Sequence, residues 1–435
     1  MSNEDTNQTR RDFLRKSGAA ALTSAMSLPM FLPARALGLK RRDTLKVGLI
    51  GCGGRGTGAA VQALHADPDV VLTAMGDVFK ARIDGSLGAI KGDAEIAARV
   101  QVKPENMFVG LDCYKAVIAS GVDVVLLASP PGFRPREIIA AVEAGKHIFA
   151  EKPMGTDAVN VRNAMEAAKG VDAKKLSFVA GFCWRYEPAR RELFQRIHDG
   201  AIGDIRHVHA TYLTGPVKPM PPASQRPAGM SDVEWQISNW YNFVWLSGDG
   251  LVEQACHSVD KILWAMKDVP PLKCTGTGGR VNPNNEGNIF DHIDVFYEWP
   301  GGMRATMAQR QIPGCPFNEN ADYIAGEKGL AVIKGRPTIT GANPWTYEGK
   351  GGDMYQIEHN EFFASIRSGK PINDSQRMGV STLAGIMGRM AAYTGAEVTW
   401  EHVMASQEDL FPKNLTWDGS LPIEPMAVPG KTKLV

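Results

Sequence analysis

The sequence predicts an α/β chain. Its N-terminal part reads as a doubly wound parallel sheet, and an α+β domain on an open, mostly antiparallel sheet follows. Three observations predict this. A glycine-rich turn, Gly51 to Gly56, lies between a short apolar run and a helix-compatible run. Apolar strands and helices then alternate over about a hundred residues, as a parallel sheet with helical crossovers requires. From about Lys175 the pattern becomes a helix followed by strand-like runs with turns between them, which suits one open antiparallel sheet.

The first strand is Leu45 to Ile50, short and apolar. Gly51-Cys52-Gly53-Gly54-Arg55-Gly56 follows it directly, and Thr57 to His65 is helix-compatible. Strand, glycine turn and helix in that order form a Rossmann dinucleotide fingerprint from a motif that is weak alone. Gly51 permits the tight turn, Gly53 lets a pyrophosphate approach the backbone, and Gly56 lets helix and strand pack closely. Gly54 and Arg55 complete the turn. The next strand, Val70 to Met75, ends at Gly76-Asp77. Asp77 stands 21 residues beyond Gly56, where an acid bonds the adenosine ribose hydroxyls; a helix cap is the competing role. A carboxylate there repels a 2′-phosphate, which favours NAD, while Lys80 and Arg82 keep NADP possible.

The alternation continues with a strand at Met107 to Val109, a helix at Tyr114 to Ser120 and an apolar strand at Asp123 to Ala128. Ser129-Pro130-Pro131 breaks that strand at its carboxyl end, where ligands bind in such sheets, so Ser129 and Pro130 join the expected cofactor contacts. A helix at Pro135 to Ala144 and a strand at His147 to Ala150 lead to Glu151-Lys152-Pro153. In the second half, Pro188 to Asp199 reads as a helix. Strands are expected at Ile205 to Tyr212 and near Ile289–Trp299, Met303–Gln309 and Gly329–Lys334.

At 435 residues the chain exceeds one ordinary core. Two domains are therefore expected, residues 37–155 for the nucleotide and 156–435 for the substrate. Residues 1–36 stand apart. Thr9-Arg10-Arg11-Asp12-Phe13-Leu14-Arg15-Lys16, a mildly apolar run from Ser17 to Leu32, and Ala34-Arg35-Ala36 follow in order. Together they resemble a twin-arginine export signal. That resemblance implies a periplasmic protein, handled by the twin-arginine translocase after folding around its cofactor. The apolar run is too short for a permanent membrane span.

The formal net charge is +1. Residues 1–36 hold five Lys/Arg and three Asp/Glu, which leaves 43 against 44 in the remainder, or −1. No basic field for nucleic acid exists. Six cysteines are present without a C-x-x-C pair. A zinc or thioredoxin-type site is not expected, and several read as buried thiols.

Ala144-Gly145-Lys146-His147-Ile148-Phe149-Ala150-Glu151-Lys152-Pro153 resembles the signature of the Gfo/Idh/MocA oxidoreductases, a family that includes glucose–fructose oxidoreductase and inositol dehydrogenase. Arg134-Pro135, Asp199 to Ile205 and Ile386-Met387-Gly388-Arg389 look like its secreted branch. The resemblance implies that Lys152 is a catalytic lysine bonded to the reacting hydroxyl. It also implies a cis peptide before Pro153, cofactor contacts at Glu151 and Lys152, and a homo-oligomer, dimer or tetramer, formed through the exposed sheet. An ammonium beside an oxidised nicotinamide feels a second positive charge, so the Lys152 pKa is expected to fall.

The second chemical centre is Gly248 to Asp260. The family pattern is met by His257 and Asp260, with Glu253 replacing Asp and Ala255 replacing Gly. On one helix Glu253 and His257 share a face. The carboxylate would then orient the imidazole, and His257 would take a proton from a sugar hydroxyl. No third ligand accompanies them, so no metal is expected. Trp235 to Trp245 is rich in aromatics. Trp240 and Trp245 are candidates for stacking on sugar faces, and a loop core or dimer contact is the equal alternative. Arg185 and Asp260 are read as substrate contacts by resemblance, with a surface ion pair as the rival role for Arg185. Leu415 to Val435 is expected to run as an arm over a neighbouring subunit.

The expected activity is hydride transfer between a tightly held NAD (NADP possible) and a sugar or polyol. Redox-assisted glycoside cleavage through a transient 3-keto sugar is the alternative. The NAD-dependent glycosidases of the wider family share Gly-Gly-Arg-Gly, but their His-Gly-Leu-Gly-Pro segment is missing here. A non-catalytic sugar-binding protein is the third class, and Lys152 with His257 argues against it.

Overall fold

Six parallel strands lie in the order β3-β2-β1-β4-β5-β6. They are β1 (Leu45–Ile50), β2 (Val70–Asp77), β3 (Met107–Val109), β4 (Val124–Leu127), β5 (His147–Ala150) and β6 (Phe178–Ala180). The computed structural model describes residues 43–282 and 286–435; the export-signal motif lies outside the described residues. Val47 to Ile50 of β1 and the whole of β4 are buried apolar runs because helices cover both faces of the sheet.

The chain moves from β1 outward through β2 and β3, then restarts at β4 on the other side of β1. The crevice between the ends of β1 and β4 is thus the topological switch point, where open α/β sheets bind ligands. Register fixes what meets there. Ile50 pairs with Gly76 and with Leu127, and Leu127 pairs with Ala150. The residues that follow (Gly51, Asp77, Ala128 and Glu151) therefore stand level along one edge. The sheet continues past residue 155, because β6 pairs with β5 through Phe178, Val179 and Ala180.

The second sheet has nine strands in the order β14-β13-β12-β11-β7-β10-β9-β8-β15. They are β7 (Ile205–Thr214), β8 (Lys273–Gly279), β9 (His292–Glu298), β10 (Arg304–Gln311), β11 (Glu319–Gly326), β12 (Gly329–Ile333), β13 (Thr338–Gly341), β14 (Trp345–Thr346) and β15 (Val398–Thr399). Its pairs are antiparallel except β7 with β10. Burial alternates along β9: Ile293, Val295 and Tyr297 face inward. Phe296, on the other face, is 49% exposed. One face packs on helices and the other stays open.

One apolar cluster runs from Ile50 and Leu127 of the first sheet through Leu251 and Val259 to Val295 and Ile333 of the second. Residues 44–435 accordingly form one compact unit. Helix Met354–Ser368 packs back on helix Gly54–Ala66 of the glycine turn. The C-terminal arm packs on its own chain. Trp417, Leu421 and Ile423 pack on this chain's own aromatic cluster, and Ser406 Oγ donates to the Val435 carbonyl at 2.6 Å. The arm covers apolar surface of its own subunit.

Candidate active site

The glycine turn is shaped by contacts that a side chain would block. Gly51 has φ +89°, and a Cβ there would lie 2.5 Å from the Ala128 carbonyl carbon and the Ser129 nitrogen. At Gly56 a Cβ would lie 1.9 Å from the Gly51 oxygen, so helix and strand could not close. At Gly53 and Gly54 a Cβ would meet nothing within 4 Å. Space is open there, on the cleft side, at the uncapped start of helix Gly54–Ala66. Asp77 is buried on the cleft wall, where its carboxylate accepts from the Cys52 N–H at 2.7 Å and the Phe79 N–H at 2.9 Å. Free backbone N–H groups at a helix start, a surface without side chains and an acid at the end of β2 fit a dinucleotide.

The cleft holds about 330 Å³. All ten expected cofactor residues line it: Gly51, Gly53, Gly54, Arg55, Gly56, Asp77, Ser129, Pro130, Glu151 and Lys152. Glu253, His257 and Trp240 line it too. Two sequence segments about a hundred residues apart thus meet in one pocket. Arg134, also on the wall, is buried and donates to the carbonyls of Pro153 and Ser129. It ties the turn after β4 to the loop that carries Lys152, whose peptide to Pro153 is cis.

Within the chain itself, Glu253 sets the electrostatics of Lys152. Its Nζ donates to the Glu253 carbonyl at 2.5 Å and to Glu253 Oε1 at 2.9 Å. Burial alone would lower the ammonium, but the Glu253 carboxylate more than offsets it, so the pKa rises. Glu253 does not orient His257. The Ala255 N–H bonds the Gly250 oxygen, five residues back, and the helix breaks between Glu253 and Cys256. That break removes the four-residue alignment on which the expectation rested. His257 Nδ1 is buried without a hydrogen-bond partner among the described residues. Burial, then the charges of Lys152 and Lys261, hold the His257 pKa well below the usual imidazole range.

Three expected substrate residues do not reach the cleft wall. Arg185 and Asp260 bond each other: Nε to Oδ2 at 2.8 Å and Nη2 to Oδ1 at 2.9 Å. Arg185 also meets Asp268. Both members are buried, so the pair belongs to the core; Arg185 makes an ion pair, but a buried one rather than the surface pair that was the rival role. Trp245 packs edge-on against Phe133 and Phe411 and donates to Gln236 at 2.8 Å. Most of the aromatic loop is a small core of its own, because large rings pack best against one another. Of the loop's aromatics, Trp240 alone lines the cleft.

The sequence offers no signal for other lining groups. Gln254 is held by the Tyr212 hydroxyl, its Nε2 donating at 2.6 Å. Tyr355 arrives from helix Met354–Ser368, some three hundred residues beyond the glycine turn. Arg55 is not free toward the cleft: its Nε meets Glu151, Nη1 donates to Gln62 at 2.8 Å and Nη2 to Glu358 at 3.4 Å.

Residues 45–181 match the Gfo/Idh/MocA oxidoreductase family, NAD-binding Rossmann fold. Residues 191–332 match the GFO/IDH/MocA C-terminal domain. An inositol 2-dehydrogenase of Rhizobium meliloti is 22% identical over 78% of this chain and 94% of its own. A glycosyl hydrolase family 109 protein of Shewanella baltica is 22% identical over 75% of this chain and 66% of its own. The solved structure of levoglucosan dehydrogenase with NADH and levoglucosan is 20% identical, with a TM-score of 0.64, and covers 82% of this chain and 99% of that one; it shows the same fold. With both domain types matched in order along one chain, this protein belongs to the Gfo/Idh/MocA family of oxidoreductases and carries an NAD-binding Rossmann domain.

Proposed function

We propose that this protein moves hydride between NAD and a CH–OH group of a sugar or polyol. One observation carries the reading: Lys152 and His257, from separate parts of the chain, line the same cleft as the glycine turn and Asp77. Relatives named for inositol and levoglucosan, both polyhydroxylated rings, support the substrate class.

In this reading Gly51, Gly53, Gly54 and Gly56 seat the pyrophosphate, and Asp77 holds the ribose hydroxyls. When bound, an oxidised nicotinamide supplies the hydride acceptor. Lys152 stays charged and donates a hydrogen bond to the substrate oxygen. Glu253 keeps that ammonium protonated and aimed. His257 enters neutral and takes up the hydroxyl proton. Trp240 offers an aromatic face to the sugar's C–H groups.

The test is to denature purified mature protein, identify released nucleotide by mass, and follow nicotinamide absorbance on adding sugars. Co-purified or bindable NAD whose absorbance answers to a sugar, and is silent in Lys152→Ala, is the expected result. Protein that neither carries nor takes up nucleotide defeats the reading.

A second reading has its own support. The Shewanella baltica relatives are named as glycosyl hydrolases, and transient oxidation on the same scaffold would acidify a C–H beside the ketone and expel the glycosidic oxygen. Solvent deuterium at carbon 2 of a cleaved sugar distinguishes this from net dehydrogenation. We further propose export by the twin-arginine translocase to the periplasm, on the strength of residues 9–36. Self-association through the open face of the nine-stranded sheet is proposed as well. Replacing Arg10 and Arg11 by lysine should leave the protein in the cytoplasmic fraction.

A further inference from the structure

We infer that Arg55, Tyr355 and Glu358 are positioning residues that set how slowly a bound dinucleotide leaves the cleft. This rests on the NAD reading above. Arg55 is the one large side chain in Gly53-Gly54-Arg55-Gly56. Each of its three nitrogens already serves a protein acceptor: Glu151, Gln62 and Glu358. The Tyr355 ring lies 4.8 Å from its guanidinium carbon, a cation–π distance. Its place in the turn invites a phosphate-binding role, but its contacts are those of a bridge.

The bridge joins parts that a dinucleotide must pass. The glycine turn follows β1, Glu151 follows β5, and β4 lies between them with Ser129 and Pro130 at its end on the cleft wall. The Arg55–Glu151 pair therefore spans the end of β4. A ligand reaching from Asp77 to Lys152 leaves freely only when turn and strand end separate.

Glu358 secures the bridge from outside the Rossmann domain. It is 0% exposed, and its Oε2 has no partner among the described residues. Burial and the neighbouring Glu151 raise its pKa well above the usual carboxyl range. A carboxyl buried at such cost needs a reason, and holding Arg55 supplies one. Its helix, Met354–Ser368, lies beyond both matched family regions. The helix is tied to the glycine-turn helix by Gln356 Nε2 to the Gln62 carbonyl at 3.0 Å. At its far end Arg367 Nε meets Asp67 Oδ2 at 2.7 Å.

The experiment measures NADH release from the full mature chain by stopped-flow fluorescence, trapping with excess NAD. Wild type is compared with R55M, R55K, E358A and Y355A, and with R367A as a control for loosening the same helix. Thermal unfolding of each variant is followed in parallel. R55M and E358A should speed release by about tenfold or more, the loss expected of a charge-assisted contact, while R367A stays within about twofold at a similar loss of Tm. Folded R55M, R55K and E358A proteins that release NADH at the wild-type rate overturn the inference, as does equal acceleration by R367A. Wild-type protein that binds no NADH defeats the function reading and this inference with it; binding with unchanged release defeats this inference alone.

Discussion

Lys152 and Glu253, 101 residues apart, meet through two hydrogen bonds, one to the carboxylate at 2.9 Å and one to the backbone carbonyl at 2.5 Å. The contact joins the end of the parallel sheet to a helical turn that lies between β7 and β8 of the second sheet. It also decides the protonation of the lysine, since burial and the carboxylate act in opposite directions and the carboxylate prevails.

Glu253→Gln should reverse that outcome. Without the carboxylate, burial dominates and the Lys152 pKa falls. The alkaline limb of kcat/KM then moves to lower pH. The sign also holds for stability. The pair's contribution is full below the pKa of a free lysine and fades as pH rises through the raised value, so E253Q should lose stability at neutral pH and less at strongly alkaline pH. A pH–rate profile and denaturant titrations at two pH values check both.

His257→Asn should lower kcat by about 10²–10⁴-fold with little change in NADH affinity, as expected for loss of a proton acceptor. The low His257 pKa places the acid limb of wild-type activity well below the ordinary imidazole range. Below that range the unfolded chain binds a proton that the folded chain refuses, so stability falls with pH. H257N should fall less steeply. NADH titration, steady-state kinetics and unfolding curves separate these effects.

Gly53→Ala and Gly56→Ala should fail in different ways. Gly53 faces open space, so G53A should keep the wild-type Tm and bind NADH more weakly by blocking close approach. Gly56 would drive a Cβ to 1.9 Å from the Gly51 oxygen, so G56A should cost about 1–3 kcal/mol or more of stability. Calorimetry and fluorescence titration check the pair.

Arg185→Met should cost about 3–5 kcal/mol, because it strands the Asp260 carboxylate in the core. The KM for substrate should hardly move among molecules that remain folded. A KM that rises tenfold at unchanged stability would restore the substrate role the sequence suggests.

The parallel sheet was readable because its signals are local. Leu45 to Ile50, the glycine turn, and Val124 to Leu127 each announce themselves within a few residues. Strand β6 lacks such a signal. Phe178-Val179-Ala180 is too short to show a period, and pairing with β5 makes it a strand. Lys152 and His257 were readable for a similar reason, since each sits in a short motif. Trp245 was assigned by type and Arg185 and Asp260 by resemblance, and neither says whether a ring or a charge faces a cleft or a core.

What the sequence determined by itself is the order of elements and the dinucleotide turn, both encoded in neighbouring residues through backbone sterics and apolar period. Only the tertiary structure decided their partners. Glu253 turns to Lys152, Arg185 to Asp260, and Tyr355 and Glu358 to Arg55, across 101, 75 and about three hundred residues. Such pairings follow from strand order and from the cost of burying an unmatched charge, and neither is written in any local stretch of the chain.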